Sequence, residues 1–333
     1  MGSAVDAVTG SAHFLEPGAN HFLAPGATAT VEVPATSANL GPGFDCFGLA
    51  LSWREQVELG VTEGGYVVEV TGEGADAVPR DDSHLVLRSA VRGLADLGLR
   101  VPGLRLRCHN TIPHGRGLGS SSAAIVAGLL AAAALAGRSG EEGGDLRRWL
   151  LQHAGEVEGH PDNVAAAIYG GFVLVYRGTA GLEVASVPVD PEVAVTVFVP
   201  ARPVATKAAR GLLPGVVPHR DAAQNSARAA LLVHAVSRAP DRLLEATRDW
   251  LHQDYREPAM PDSWALMTSL RRQGYAAVIS GAGPTVLVLG RTDDLRALDG
   301  GQPGFQHLQV RIGDAASVVE DASGRQTSAA DLG

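Results

Sequence analysis

Residues 115–122 read Gly-Arg-Gly-Leu-Gly-Ser-Ser-Ser and stand directly before a long alanine-rich run. Gly115, Gly117 and Gly119 permit close backbone approach and positive φ, and a helix start presents unpaired N–H groups at the positive end of its dipole. That combination binds anions, phosphate above all. A serine N-cap alone would need one serine and one glycine, and three of each exceed that need. A Walker loop requires a lysine, and none lies between Gly115 and Ala136. A dinucleotide fingerprint requires a third glycine where Ser120 and Ser122 stand. The sequence therefore predicts a phosphate cradle made of N–H groups and hydroxyls, without a lysine.

The elements that must hold this loop follow from periodicity. The strand "GLRLRCHN" leads into it, and the alanine run beyond it is about 14 residues, which is a buried helix and too short to span a bilayer. "TVEVP" alternates as a strand and then breaks into a loop of Pro, Gly, Ser and Asn up to Asp45. "EQVELGV" and "GYVVEV" are further strands. "SHLVLRSAVRGLADLG" and "GDLRRWLLQHAGEVEG" are helices, and "HPDNVAAAIYGGFVLVYRG" gives a short helix, a Gly-Gly break and a strand. A second region opens near Pro188 with the strand "VAVTVFVP". Helices over "AAQNSARAALLVHAVSRA", "DRLLEATRDWLHQ" and "SWALMTSLRRQG" follow, then strands "AAVISGAGPTVLVLG" and "QHLQVRI". Strands and helices mix without a regular βαβ repeat, so the expected class is α+β.

The chain has 333 residues, 45% hydrophobic and 19% charged, which describes a packed globular protein rather than a disordered one. A net charge of −9 argues against nucleic acid and anionic membrane surfaces as partners, so an anionic ligand must be held locally. Cys46 and Cys108 are the only cysteines, which excludes a disulfide framework and suggests a reducing compartment, hence a cytoplasmic protein. Residues 1–28 lack periodic apolar positions and read as a flexible extension, and residues 314–333, rich in Ala, Ser, Asp and Gly, as a flexible tail.

The loop from Pro113, "PHGRGLGSSSA", resembles the ATP loop of the GHMP kinases. "PATSANLGPGFD" (residues 34–45) and "SGAGPTV" (residues 280–286) resemble the first and third motifs of that superfamily. "ANLGPGFDCFGLAL", "EGHPDNVAAAIYGGF", "TKAARGLLP" and "LHQDYREPAMP" are similar to its homoserine kinase family, over more than three quarters of the chain. The resemblance implies an N-terminal ATP-binding α+β domain at residues 29–187 and a C-terminal ferredoxin-like α+β domain at 188–313. It also implies a homodimer, and ATP-dependent phosphorylation of L-homoserine in threonine biosynthesis.

By that resemblance Pro113, His114, Gly115, Arg116, Gly117, Leu118, Gly119, Ser120, Ser121, Ser122 and Ala123 bind ATP. Mg²⁺ is held by a loop serine, with Ser121 the candidate, and by a glutamate after the long helix. Glu156 and Glu158 both stand there, and Glu158 belongs to the family-like "EGHPDN". Homoserine carries an ammonium, a carboxylate and a hydroxyl, which call for an acceptor, a fork-shaped cation and an aligning polar group. Asn39, Asp45, His160, Asn163, Thr206, Arg210, Arg248, Gly281 and Gly283 are the implied substrate residues, with Asp45 suited to the ammonium and Arg210 to the carboxylate. A second arginine of the clamp is expected from the segment before "LHQ", with candidates Arg248 and Arg256. If that segment is helical, Arg248 and Trp250 lie about 200° apart and face different ways. No obligatory base is implied: Asn163 and Arg210 position the substrate, and Asp162 holds its loop. The rival readings are another kinase of the superfamily and a ligand-binding regulator that has lost catalysis.

Overall fold

The segments flanking the glycine-serine loop build the first sheet of the computed structural model, which describes residues 21–139 and 144–320. In chain order they are β1 (His21–Phe22), β2 (Thr28–Asn39), β3 (Gly43–Thr62), β4 (Gly65–Gly72), α1 (Leu85–Asp96), β5 (Leu99–Arg100) and β6 (Gly103–Asn110). The loop follows, then α2 (Ser120–Leu135), α3 (Asp145–Glu158), α4 (Pro161–Tyr169), β7 (Phe172–Gly178) and β8 (Gly181–Val187). The second region comprises β9 (Val193–Pro200), α5 (Thr206–Gly211), α6 (His219–Arg238), α7 (Leu243–Ala246), α8 (Pro261–Arg272), β10 (Ala276–Ile279), β11 (Val286–Arg291), α9 (Thr292–Arg296) and β12 (Phe305–Val310). The last described element, β13 (Ser317–Glu320), returns to the first sheet.

That sheet runs β13-β2-β3-β6-β4, with β7 added to the other end of the long β3 and carrying β8; only β4 and β6 are parallel. Helix α2 packs on it almost wholly buried, as its alanines allow. The second sheet has the order β10-β11-β9-β12, antiparallel throughout, which is the ferredoxin-like arrangement. Its strands alternate between two cores, as the pleat requires. Val195, Val197, Val199, Leu287 and Leu289 join α6, α7 and the first domain's core. Phe198, Val286, Val288 and Ile279 face α8 and α9. The fold class agrees with the α+β expectation.

Four local expectations are corrected. The break after Val33 is shorter than a loop. Strand β2 runs on to Asn39, and Asn39 pairs with Gly43 across a turn of Leu40, Gly41 and Pro42. Left-handed φ values at Asn39 (68°), Leu40 (51°) and Asp45 (56°) make that reversal possible. Second, the helix expected over "DRLLEATRDWLHQ" stops at Ala246. Thr247 Oγ1 turns back onto the Leu243 carbonyl (2.8 Å), Arg271 takes the Leu244 carbonyl (2.7 Å), and the Asp249 carboxylate accepts the N–H groups of Leu251, His252 and Gln253 at 2.7–3.0 Å. Side chains thus take the groups a helix would have paired. Third, of the 1–28 extension the described part is docked: β1 pairs with β5, and Leu23 and Ala27 pack on the core. Residues 1–20 lie outside the described residues. Fourth, the expected tail from 314 is ordered as far as β13, where Val318 is buried; residues 321–333 lie outside the described residues.

Candidate active site

Three contacts shape the glycine-serine loop from outside. The Thr36 N–H of β2 donates to the Leu118 carbonyl (3.0 Å), the Gly117 carbonyl lies 2.5 Å from Ser280 Oγ, and the Thr285 N–H donates to the Arg116 carbonyl (3.1 Å). Gly117 (φ 72°) and Gly119 (φ 71°) are both left-handed, and a Cβ on Gly119 would run into Thr36 Oγ1. Gly119 is the N-cap of α2 and no side chain caps it. The first-turn N–H groups are therefore left without a side-chain partner, as the phosphate cradle expected from the sequence requires. Arg116 is spent on the His114, Pro200 and Ala201 carbonyls, tying the loop to the second region. Pro113 lies in the approach to the loop, His114 leans on Gly74 and Asn110, and Ala123 is already buried in α2.

The serine hydroxyls turn to Glu158 at the end of α3. Ser121 Oγ donates to Oε2 (2.8 Å) and Ser122 Oγ to Oε1 (3.0 Å). The Glu158 side chain is 9% exposed, whereas that of Glu156 is 63% exposed and pairs with Arg92 on another face. Ser121 is exposed and Ser122 fully buried. Among the described residues no group of three or more His, Cys, Asp or Glu side chains is arranged so that it could hold a metal ion by itself.

Past Glu158 the site becomes charge-dense. His160 caps α4, with Nδ1 3.7 Å from Asp162 Oδ1 and 4.0 Å from Glu158 Oε1, and the Asp162 carboxylate holds the imidazole pKa above its usual range. Asp162 is buried and accepts the Asn163 N–H (2.8 Å). Asn163 Oδ1 accepts from Thr36 Oγ1 (2.8 Å). Asn39 bridges the turn: its Nδ2 donates to the Gly281 carbonyl (2.9 Å) and its Oδ1 accepts the Asp45 N–H (2.9 Å). Thr206 opens α5 and is exposed, and Gly283 packs under Gly117 rather than beside Asn39.

Asp45 and Arg210, expected at opposite ends of the substrate, hold each other here, with Nη1–Oδ2 3.1 Å and Nη2–Oδ1 2.5 Å. The carboxylate raises the Arg210 pKa above its ordinary value. Arg256 completes the cluster. It is 1% exposed, its Nη1 donates to the Gly281 carbonyl (2.8 Å), and burial with Arg210 nearby pulls its pKa down to about 10. Both guanidinium groups lie over Phe44, at 5.5 and 5.6 Å. The Nε atoms of Arg210 and Arg256 are buried without a hydrogen-bond partner. Asp45 pairs directly with Arg210, while Asp45, Asp249 and Asp162 act on Arg256 only through space, so the two Nε–H groups remain donors without an acceptor.

Arg248, the other clamp candidate, is exposed and lies outside this cluster, over the Trp250 ring at 5.3 Å. The helical argument that separated the two fails because the helix has already ended at Ala246. Sequence reasoning missed Asn225 and His252, which hold the turn from behind: Asn225 Nδ2 donates to the Pro42 carbonyl (2.8 Å) and His252 Nε2 lies 2.7 Å from the Gly41 carbonyl. Spacing gave little signal for Asn225, which shares its helix face with Asp221 and Arg228 as well as with Leu232.

Comparison with known proteins places the chain in a family. Residues 84–171 match the GHMP kinases N-terminal domain and residues 227–298 the GHMP kinases C-terminal domain. The chain is 52% identical over 266 residues to the homoserine kinase of Streptomyces coelicolor, covering 79% of this chain and 84% of that one. It is 47% identical over 297 residues to that of Mycolicibacterium vanbaalenii, covering 87% and 94%. The crystal structure of homoserine kinase from Cytophaga hutchinsonii superposes with a TM-score of 0.77 at 27% identity, over 90% of this chain and 99% of that one.

Proposed function

The chain belongs to the homoserine kinase family of the GHMP kinases, and we propose that it transfers the γ-phosphoryl group of ATP to the hydroxyl of L-homoserine. The products are O-phospho-L-homoserine and ADP, a step of threonine biosynthesis. The observation that carries this reading is the pair of buried Nε–H donors of Arg210 and Arg256, left without an acceptor beside the Asp45 carboxylate. A zwitterionic α-amino acid fits it: the ammonium takes Asp45, and the carboxylate takes Arg210 and Arg256, satisfying the buried Nε–H groups. On this reading Arg256 is the second arm of the clamp, in place of Arg248.

Asn163, His160 and the Gly281 carbonyl flank the path from this cluster to Glu158, along which the substrate hydroxyl would lie. The N–H groups of residues 119–122 hold the phosphates. The hydroxyl oxygen bonds to the γ-phosphorus, the bond to the ADP oxygen breaks, and the hydroxyl proton passes to a phosphoryl oxygen or to water. Positioning and charge stabilisation supply the rate, without a general base. Asp162 is occupied by the Asn163 N–H and faces His160, and Asp45 is engaged by Arg210, so neither is poised to take the proton.

The donor set of Ser121, Ser122 and Glu158 is all oxygen and suits Mg²⁺, which needs one carboxylate when phosphate and water supply the rest. When bound, the ion would neutralise charge on the phosphates. Among the described residues no helix is long and apolar enough to cross a membrane, and both cysteines are free; we take the cytoplasm as the working compartment and a homodimer as the assembly. ADP release measured with L-homoserine, mevalonate, galactose and shikimate tests the reading. Turnover should require L-homoserine and Mg²⁺, and a preference for any other alcohol would overturn it.

A further inference from the structure

Behind the substrate cluster lies a histidine that touches no ligand group in the reading above. His252 is fully buried, stacked on Phe44 with ring centroids 5.3 Å apart. Its Nε2 lies 2.7 Å from the Gly41 carbonyl and its Nδ1 lies 3.2 Å from Arg256 Nη1. These two neighbours leave one arrangement of protons. A guanidinium can only donate, so Nδ1 must present its lone pair; a carbonyl can only accept, so Nε2 must carry the hydrogen. The groups facing the ring do not disturb this. The Asp249 carboxylate is 3.7 Å from Nε2 and already accepts three backbone N–H groups. Asp45 acts on the ring only through space, and Arg256 opposes a second proton.

We propose that His252 is a positioning residue that aims the Arg256 guanidinium at the substrate carboxylate and pins the Leu40–Pro42 turn carrying Asn39 and Asp45. Its Nδ1 gives Arg256 an acceptor on one side, the Gly281 carbonyl gives another, and the unpartnered Nε–H is left for the substrate. Its Nε2–H fixes Gly41, in whose place any side chain would strike the Thr247 backbone. One ring therefore sets the spacing between the acid for the ammonium and a cation for the carboxylate. Burial pulls its pKa below the ordinary histidine value, which favours the neutral form. This rests on Arg256 being part of the carboxylate clamp.

The test uses the full chain and two variants that each keep one bond. In His252→Gln the amide NH₂ reaches the Nε2 position and keeps the donor to Gly41 but loses the acceptor for Arg256. In His252→Asn the amide oxygen stands near the Nδ1 position and keeps that acceptor but loses the donor. His252→Gln should raise KM for L-homoserine roughly ten- to hundredfold, as for a lost bond to a charged group, with kcat within about threefold. For 2-aminobutane-1,4-diol, which lacks the carboxylate, it should change KM less than about threefold. His252→Asn should raise KM for both. A wild-type KM in His252→Gln, or an equal rise for both substrates, overturns the proposal. Arg256→Gln run beside it separates the two ideas: if Arg256→Gln treats both substrates alike, the clamp reading fails instead. Should the variants not fold, ¹⁵N-histidine NMR of the native protein still decides. A neutral ring protonated on Nε2 and titrating below the ordinary histidine value is required, and its absence from all 11 histidines overturns the proposal.

Discussion

At the phosphate end of the site, residues 117–122, the groups offered to a ligand are backbone N–H donors on a loop shaped by left-handed glycines. At the end proposed for homoserine they are side chains, Asp45, Arg210 and Arg256, drawn from three separate segments and braced by Asn39, Asn225 and His252. A backbone cradle needs no extra charge and tolerates no extra Cβ. A charged cluster needs burial, and each buried charge then needs its own partner. The first end is specified by what is missing from a short stretch and the second by what converges from far apart. The two ends should therefore fail differently when altered.

The largest effect is expected at the homoserine end. Arg210→Lys keeps the charge but cannot make two parallel bonds to a carboxylate. Losing one partner of such a pair costs on the order of 2–5 kcal/mol, or roughly 30- to several-thousandfold in kcat/KM for L-homoserine. ATP affinity measured without homoserine should stay within about threefold. Competition binding and steady-state kinetics check both numbers, and a parallel loss of nucleotide affinity would merge the two ends that the comparison separates.

At the phosphate end, Glu158→Gln should lower kcat on the order of a hundredfold and shift the Mg²⁺ dependence, leaving KM for homoserine nearly unchanged. Glu156→Gln, whose carboxylate points at Arg92, should stay within about twofold. A Mg²⁺ titration of both variants checks this. Equal losses would mean that the Ser121–Glu158 contact is a helix-end brace and not a metal site.

The two ends also store opposite pH dependences. Glu55 of β3 is buried where the N–H groups of Thr111 and Ile112, which lead into the phosphate loop, meet its carboxyl, yet burial outweighs them and pushes its pKa up to about 7. A raised folded pKa means the contribution is present below the unfolded value of 4.5 and is lost as pH rises through about 7. By linkage that loss is on the order of 3 kcal/mol. His252 has a lowered folded pKa, so its contribution is present above the ordinary histidine value of 6.5 and is lost as pH falls below it. Thermal melts between pH 5 and 8 should show Glu55→Gln removing the decline on the alkaline side. A variant whose melting profile stays parallel to wild type would show that Glu55 is ionised in the fold.

The difference between the ends also explains what could be read in advance. The cradle was legible because its glycines and serines are contiguous, and helix geometry alone turns them into an anion site. Helices α1, α2, α3, α6 and α8 were legible from apolar spacing. The turn at residues 40–42 was not, because Leu40 adopts a left-handed φ that its side chain disfavours, and burial of Leu40 with bonds from Asn39, Asn225 and His252, all tertiary contacts, holds it there. The end of α7 was equally hidden, since it depends on Arg271, a residue 25 positions after Ala246 in sequence. Asp45 and Arg210 were found, but their mutual pairing is a tertiary fact.

Arg248 tests the finest point of the comparison, with the smallest expected effect. It sits in the same stretch as Arg256 and was an equal candidate for the clamp, so the two differ only in what the fold does with them. Arg256 is buried, contacts the Gly281 carbonyl and His252, and retains an unpartnered Nε. Arg248 is exposed and rests on Trp250, an exposed cation–π contact worth about 0.5–1 kcal/mol. Arg248→Ala should therefore leave kcat/KM for L-homoserine within about twofold and shift the melting temperature by no more than a few degrees. Arg256→Ala should fall in the range given for Arg210→Lys. If Arg248→Ala instead raises KM for L-homoserine by tenfold or more while sparing 2-aminobutane-1,4-diol, the segment after α7 must swing inward when substrate binds. The homoserine end would then be assembled by the ligand rather than preformed, and the contrast with the rigid phosphate cradle would be one of mobility as well as chemistry.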